Sequence, residues 1–381
     1  MVLLLLDYFS VTDWSAQATR QQAEQEWKMF DAVYTEGNKV WQGSPESGWL
    51  GRAMRKMAEN LLHLAFRSAT LSRDKRFTAP SISVDRVRRT FQIATVSECS
   101  SLEDPTPKRG DMTFALGNIC WKVYDQLQTY RLLDTISQMY STIRPSPQAR
   151  LDAPCTSRAE VVGYWFWCGK LRLAKGDLRE ARDCLKTAFD MCPVSAAKNL
   201  KAIFIRLLTC QILLGYFPAP ILLNHFNLHA QFGPLLQAIK WGDRAQYYQH
   251  FNKWSEWFRQ RGLWLVLREK GEVLVWRSLF RNAYRIHRES HPEDPTARSK
   301  SCPTSVFLAA MRLSFRQCGE TNVDITDVIS ILASLIDQSY IKGHLGYMQT
   351  MLVMRNAPDM PVESAFPRVS GVRPRRVTAV G

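Results

Sequence analysis

Apolar side chains recur three and four positions apart along most of this chain, and that period predicts helices. Val84, Val87, Phe91 and Ala94 show it plainly, and the segments 14–34, 49–71 and 84–96 share it. Residues 2–9 are largely apolar and predict the start of a buried helix. Asp104-Pro105-Thr106-Pro107-Lys108-Arg109-Gly110 is a loop, because its prolines, glycine and charges cannot sustain a helix. The helical period resumes over 112–124 and 127–140, and Pro145 and Pro147 mark the next break. Residues 196–214 form a strongly apolar helix stopped by Gly215 and Pro218. Residues 228–239 and 243–258 predict a helical hairpin around Trp241-Gly242. One long helix follows over 262–284, then a polar linker over 287–303 containing Pro292, Pro295 and Pro303.

The clearest repeat unit lies between. Trp165, Gly169, Gly176, Ala181, Leu185, Ala188 and Pro193 fall at the spacing of a tetratricopeptide repeat. The small residues Gly169, Ala181 and Ala188 allow two antiparallel helices to approach closely, and Gly176-Asp177 makes the turn between them. Cys168 and Arg172 stand where leucine and tyrosine are usual. One such unit cannot bury its own apolar face, so it implies neighbouring helical hairpins.

The last eighty residues change style. Residues 305–315 predict a short helix. Asp324 caps a second, with Ile325, Val328, Ile329, Leu332, Leu335 and Ile336 on its inner side. Residues 340–345 and 350–354 read as two short strands around Gly346-Tyr347. Two helices followed by a two-stranded wing predict a winged helix. Residues 356–381 are proline-rich and basic and are expected to be disordered. The predicted fold class is all-α: a right-handed, TPR-like helical-repeat solenoid ending in a small winged helix with a short β wing. The expected divisions are helical repeats over 1–110, a second repeat region over 111–302, the winged helix over 303–355 and the tail over 356–381.

Helical repeats that run directly into a winged helix resemble the PCI domain, the scaffold module of the proteasome lid, the signalosome and a translation initiation factor. Four segments narrow the resemblance: KNLKAIFIRLLTCQILLGYFP, LLNHFNLHAQFGPLLQAIKWGD, FRQRGLWLVLREKGEVLVWRSLFRNAY and IDQSYIKGHL. Together they are similar to the Thp/PCID subunit of the nuclear-pore transcription-and-export complex, a pattern shared by signalosome-subunit-twelve-like proteins. The similarity covers residues 110–354. It implies a non-enzymatic subunit, nuclear and associated with the pore. Such a subunit joins a large PCI-like scaffold subunit and a small acidic Sem/Dss-type protein, binds RNA and supports messenger RNA export. The same resemblance leaves open a signalosome-related or splicing-associated subunit with little nucleic-acid affinity. A structural subunit of a proteasome-lid-like particle is a further alternative.

Charge adds to this picture. The chain of 381 residues carries a formal net charge of +15, with 46% hydrophobic and 22% charged residues. That excess favours polyanions: nucleic acid, an anionic membrane or an acidic protein partner. No apolar run approaches the about 18 residues that a membrane-spanning helix needs, so no membrane insertion is expected. The nine cysteines contain no CxxC pair, and several fall on apolar helical positions, which predicts free thiols in a reducing compartment.

The candidate nucleic-acid surface lies on the long helix. Arg277, Arg281, Arg285 and Arg288 share one helical face, and Arg268 and Lys270 extend it. Arginine forks onto phosphate and keeps its charge. The same stripe is equally consistent with a solvated face or one neutralised by an acidic partner. The second winged-helix helix carries Asp324, Asp327 and Asp337 and no cation, which excludes insertion into a major groove. Lys342 and His344 on the wing would then touch backbone only, so RNA or DNA would bind without sequence readout. Alternatively the wing pairs with a neighbour's wing, through Tyr340, Ile341, His344, Met351 and Val353. Arg373, Arg375 and Arg376 form a short basic cluster in the tail.

The aromatics Trp254, Trp257, Phe258, Trp264 and Trp276 are helically spaced and are expected in the core. His225 and His229 have zinc-like spacing, but Phe226 stands where a metalloprotease has its glutamate. His287 and His291 abut Pro292. There is no phosphate-cradling GxxxxGK[ST] loop and no GxSxG nucleophile turn. No catalytic set, metal or cofactor is therefore expected.

Overall fold

The computed structural model describes residues 19–44, 46–101, 103–143, 150–151, 156–290, 299–316, 323–346, 350–355 and 365–372. The sequence readings at 2–9, Pro145, Pro147, His291, Tyr347 and the arginines 373–376 lie outside the described residues. The chain forms two compact units, one within Met1–Leu171 and Asp183–Ile203, the other within Arg172–Arg182 and Phe204–Gly381.

The first unit begins with α1 (Arg20–Gly43), α2 (Gly51–Ser72), α3 (Thr78–Val96), α4 (Thr113–Gln126) and α5 (Tyr130–Ser141). Each packs on the next in sequence order, as the helical-repeat class requires. Thr19 opens α1 with a capping box: its hydroxyl accepts from the Gln22 amide while Gln22 Oε1 accepts from the Thr19 amide. Side-chain hydrogen bonds tie α1 to α3 inside. Trp27 Nε1 donates to Ser83 Oγ at 2.8 Å. The Thr90 hydroxyl donates to Asn38 Oδ1, so Tyr34 donates to Thr90. The core centres on Tyr140, whose ring meets Phe91, Phe114, Trp121 and Tyr164 at centroid distances of 4.9–5.6 Å. Arg150, only 2% exposed, closes the C-terminal end of α3. Its guanidinium donates to the carbonyls of Ala94, Thr95 and Ser97 and to Thr113 Oγ1.

Next come α6 (Arg158–Lys175), α7 (Leu178–Met191) and α8 (Ala197–Leu213). Gly176 turns between the first two with φ +86°, and the repeat positions Ala181, Leu185 and Ala188 are fully buried.

The second unit continues with α9 (Pro220–His225), α10 (His229–Trp241), α11 (Arg244–Lys253) and α12 (Ser255–Gln260). Gly242 closes α10 at φ +78°, where an added Cβ would lie 2.3 Å from the Leu279 amide nitrogen; only glycine permits this approach. Asp243 then caps α11 by accepting from the Gln246 amide at 2.9 Å. The long helix expected over 262–284 is interrupted. A short turn, Trp264–Val266, leads into a π-helical segment, Leu267–Gly271, before α13 (Glu272–Ser290). The Leu267 carbonyl accepts from the Tyr247 hydroxyl at 2.6 Å, which satisfies a group that the wider turn frees.

The chain ends in a winged helix: β1 (Ser299–Pro303), α14 (Thr304–Arg316), α15 (Ile325–Asp337), β2 (Gly343–Gly346) and β3 (Met351–Arg355). Asp324 caps α15 as expected. Two expectations need correction. The wing has three antiparallel strands in the order β1-β3-β2, because part of the supposed linker pairs with β3. The tail, expected to be disordered, also contains an ordered segment. Residues 365–372 return across the second unit with Ala365, Phe366 and Val372 buried. The Ala365 carbonyl accepts from the Lys342 amide at 2.9 Å. Arg277 Nη2 donates to the carbonyls of Phe366 and Pro367, and Arg179 Nη2 to those of Ser370 and Val372. Val369 fills the space above Gly215, where a Cβ would come within 2.6 Å of it. Among the described residues no helix is long and apolar enough to cross a membrane.

Candidate nucleic-acid and partner surfaces

The arginine stripe expected on α13 does not stay together. Arg277 is 9% exposed and holds the returning strap. Burial, together with the neighbouring Arg281 charge, pushes its pKa down to about 10. Periodicity assigned this face to solvent, and the strap covers it. Arg281 and Arg288 are half-buried, and Arg288 Nη1 lies 3.5 Å from the Tyr284 hydroxyl. Arg285 is exposed and pairs with Glu289 at 3.7 Å. Arg268 and Lys270 are exposed at the other end, with Lys270 Nζ 3.5 Å from the Gly176 carbonyl.

The fold gathers a different cationic group. The guanidiniums of Arg259 and Arg268 both lie over the Trp264 indole, at 4.9 and 5.0 Å from its centroid. Arg261 lies 3.9 Å over Trp257 and donates to its carbonyl at 3.0 Å. The rings are anchored from beneath: Trp264 stacks on Phe251 and Trp257 meets Phe232 and Phe258. Trp257 and Trp264 are half-buried, and Arg259 and Arg268 exposed. These aromatics are therefore a support with a wet side, not wholly core. Glu256 is the nearest acid to Arg259, at the 4.0 Å limit of an ion pair, and no ion pair involves Arg268 among the described residues. A guanidinium already held over an indole loses less freedom on meeting a phosphate than a free side chain. The sequence signal is an aromatic followed four residues later by arginine, repeated at Trp257–Arg261 and Trp264–Arg268, which puts each pair on one helical face.

The expected partner edge divides as well. Ile341 is 1% exposed and belongs to the winged-helix core. Tyr340 is half-buried, and burial raises its phenol pKa. Met351 and Val353 lie in the central strand, with β1 on one side and β2 on the other, so their backbone offers no free edge. His344 is exposed on the outer strand β2, with Lys342 exposed just before it.

Among the described residues no group of three His, Cys, Asp or Glu side chains could hold a metal. His225 meets Phe226 edge-on. The Cys210 thiol is buried, which pushes its pKa up to about 12; it packs as a small apolar group.

The chain is similar to several curated proteins. It is 30% identical over 266 residues to a PCI domain-containing protein of Schizosaccharomyces pombe, covering 68% of this chain and 57% of that protein. PCI domain-containing protein 2 of Danio rerio is 25% identical over 283 residues, 74% of this chain and 64% of the relative. Enhanced ethylene response protein 5 of Arabidopsis thaliana is 26% identical over 245 residues, with 64% and 55% covered. The chain thus spans less than two thirds of the length of these relatives. No protein-family model matches it.

Proposed function

This chain is a PCI-domain protein homologous to the PCI domain-containing 2 proteins, and on that footing we propose that it is a non-enzymatic, RNA-binding assembly subunit of a nuclear messenger RNA export complex. Its β2 edge around His344 docks a large PCI-like scaffold subunit, and its basic surface also accommodates a small acidic Sem/Dss-type protein. Its place of action is the nucleus, at the pore. It binds RNA through the backbone, without reading sequence. The observation that carries the RNA reading is the pair of exposed guanidiniums, Arg259 and Arg268, held on Trp264. The net charge of +15 supports it, and the acidic α15 keeps the contact away from base edges.

The test is fluorescence anisotropy of short labelled single-stranded RNAs, one uridine-only and one of mixed sequence, against the full chain. Both bind alike. Arg259→Glu/Arg268→Glu weakens binding about thirtyfold and flattens the log–log salt dependence by about 0.7 per lost phosphate contact. Arg281→Glu/Arg285→Glu weakens it about threefold at most, because Arg285 already has Glu289. RNA affinity unchanged in the first variant, with its fold intact by circular dichroism, overturns the RNA reading and leaves the assembly role standing. Co-purification with signalosome or splicing subunits instead of export factors overturns the pathway.

A further inference from the structure

Two adjoining cavities of ≈ 380 and ≈ 290 Å³ lie between the start of α13 and α15, and they share Glu272, Trp276, Ser330 and Ile331. Their floor is apolar: Trp276, Met311, Phe315 and Leu335 are all buried. Their rim is not. The ionisable residues that line them are Glu269, Glu272 and Asp327, all acidic, in a chain whose net charge is +15. Carboxylates from both flanking elements thus stand where an apolar cleft opens.

Two nearby cations are already committed. Arg244 pairs with Glu272 at 3.3 Å while its guanidinium stacks 4.4 Å over Phe315 and 4.7 Å over Tyr248. Arg312 donates to the Val323 carbonyl. Among the described residues Glu269 and Asp327 have no ion-pair partner, and Asp327 spends one oxygen on the Asp324 amide. An apolar floor with carboxylates on both walls suits a large aliphatic or aromatic side chain flanked by cations.

We propose that this cleft is a docking site for a basic, apolar-anchored segment of a partner protein. The apolar anchor sits beside Trp276, and Lys or Arg residues on either side reach Glu269 and Asp327. Nucleic acid is repelled by the same carboxylates, so the cleft selects its occupant by charge. This inference is independent of whether RNA binds at Trp264.

The probe is a labelled short peptide alternating leucine with arginine, titrated onto the full chain by anisotropy. Two control peptides carry glutamate for arginine, or serine for leucine. Only the leucine–arginine peptide is expected to bind. Glu269→Lys, Ser330→Lys and Ser334→Lys each weaken it about fivefold, and Ser334→Glu strengthens it about threefold; the last variant keeps the test decisive if a lysine variant unfolds. The proposal is overturned by binding that ignores peptide charge, by serine–arginine binding as tight as leucine–arginine, or by affinities insensitive to all four substitutions. Displacement of the peptide by RNA, unaffected by Arg259→Glu/Arg268→Glu and strengthened in the lysine variants, would assign the cleft to nucleic acid and also overturn it. So would self-association of the chain that those variants abolish, since a second copy would then be the occupant.

Discussion

Removing residues 365–381 lowers the unfolding free energy of the second unit by about 4 kcal/mol. Phe366 and Val372 are buried side chains, each contributing about 1.5–3 kcal/mol by area. The strap also binds two guanidiniums. Arg277 donates to the Phe366 and Pro367 carbonyls, and Arg179 to those of Ser370 and Val372. Each charge-assisted bond is worth about 1.5–3 kcal/mol when isolated, but truncation re-exposes both arginines to water and recovers most of that. Arg277→Glu is more damaging per atom, because it places an anion against those carbonyls. Urea denaturation measures the loss, and hydrogen exchange locates it: the Lys342 amide, which donates to Ala365, loses protection first. Unchanged stability and unchanged Lys342 exchange would show the strap to be a passive covering. For the same reason Arg277 has no place among variants meant to report RNA binding.

Arg150→Met costs the first unit about 3 kcal/mol or more. The guanidinium spreads its donors over Ala94, Thr95, Ser97 and Thr113, satisfying carbonyls that the end of α3 leaves open. Methionine fills the space but removes the donor to the buried Thr95 carbonyl and leaves Ala94 with only the Ser97 amide and the Thr113 hydroxyl; an unmet buried acceptor has a penalty of about 1–3 kcal/mol. Lysine does not rescue, since one ammonium cannot span the four positions. Tryptophan fluorescence during urea unfolding, to which buried Trp41 and Trp121 of this unit contribute, reads the change. A midpoint within error of the parent would contradict this account of how α3 ends.

The helices were legible because each buries one face, so the spacing of Val84, Val87, Phe91 and Ala94 carries its own explanation. The α15 cap was legible for the same local reason: Asp324 bonds within one turn. What escaped depends on distant chain. Ser299–Pro303 contains no β-branched residue and becomes a strand because β3 offers it a ladder. The strap has no period, and Arg277 differs from Arg281 only in lying beneath it. Trp264 was read as core on spacing alone. Spacing cannot tell a ring sealed on both sides from one whose outer side carries two arginines. The wing residues Met351 and Val353 were placed on strands correctly. Their exclusion from any free edge follows from the third strand, which the sequence does not announce.

The most direct measurement is photocrosslinking of an iodouridine-substituted RNA to the full chain, with the crosslinked peptides mapped by mass spectrometry. Crosslinks within residues 257–270, lost in Arg259→Glu/Arg268→Glu, are the predicted result. Crosslinks confined to α15, or to residues 281–288 with 257–270 untouched, would contradict it.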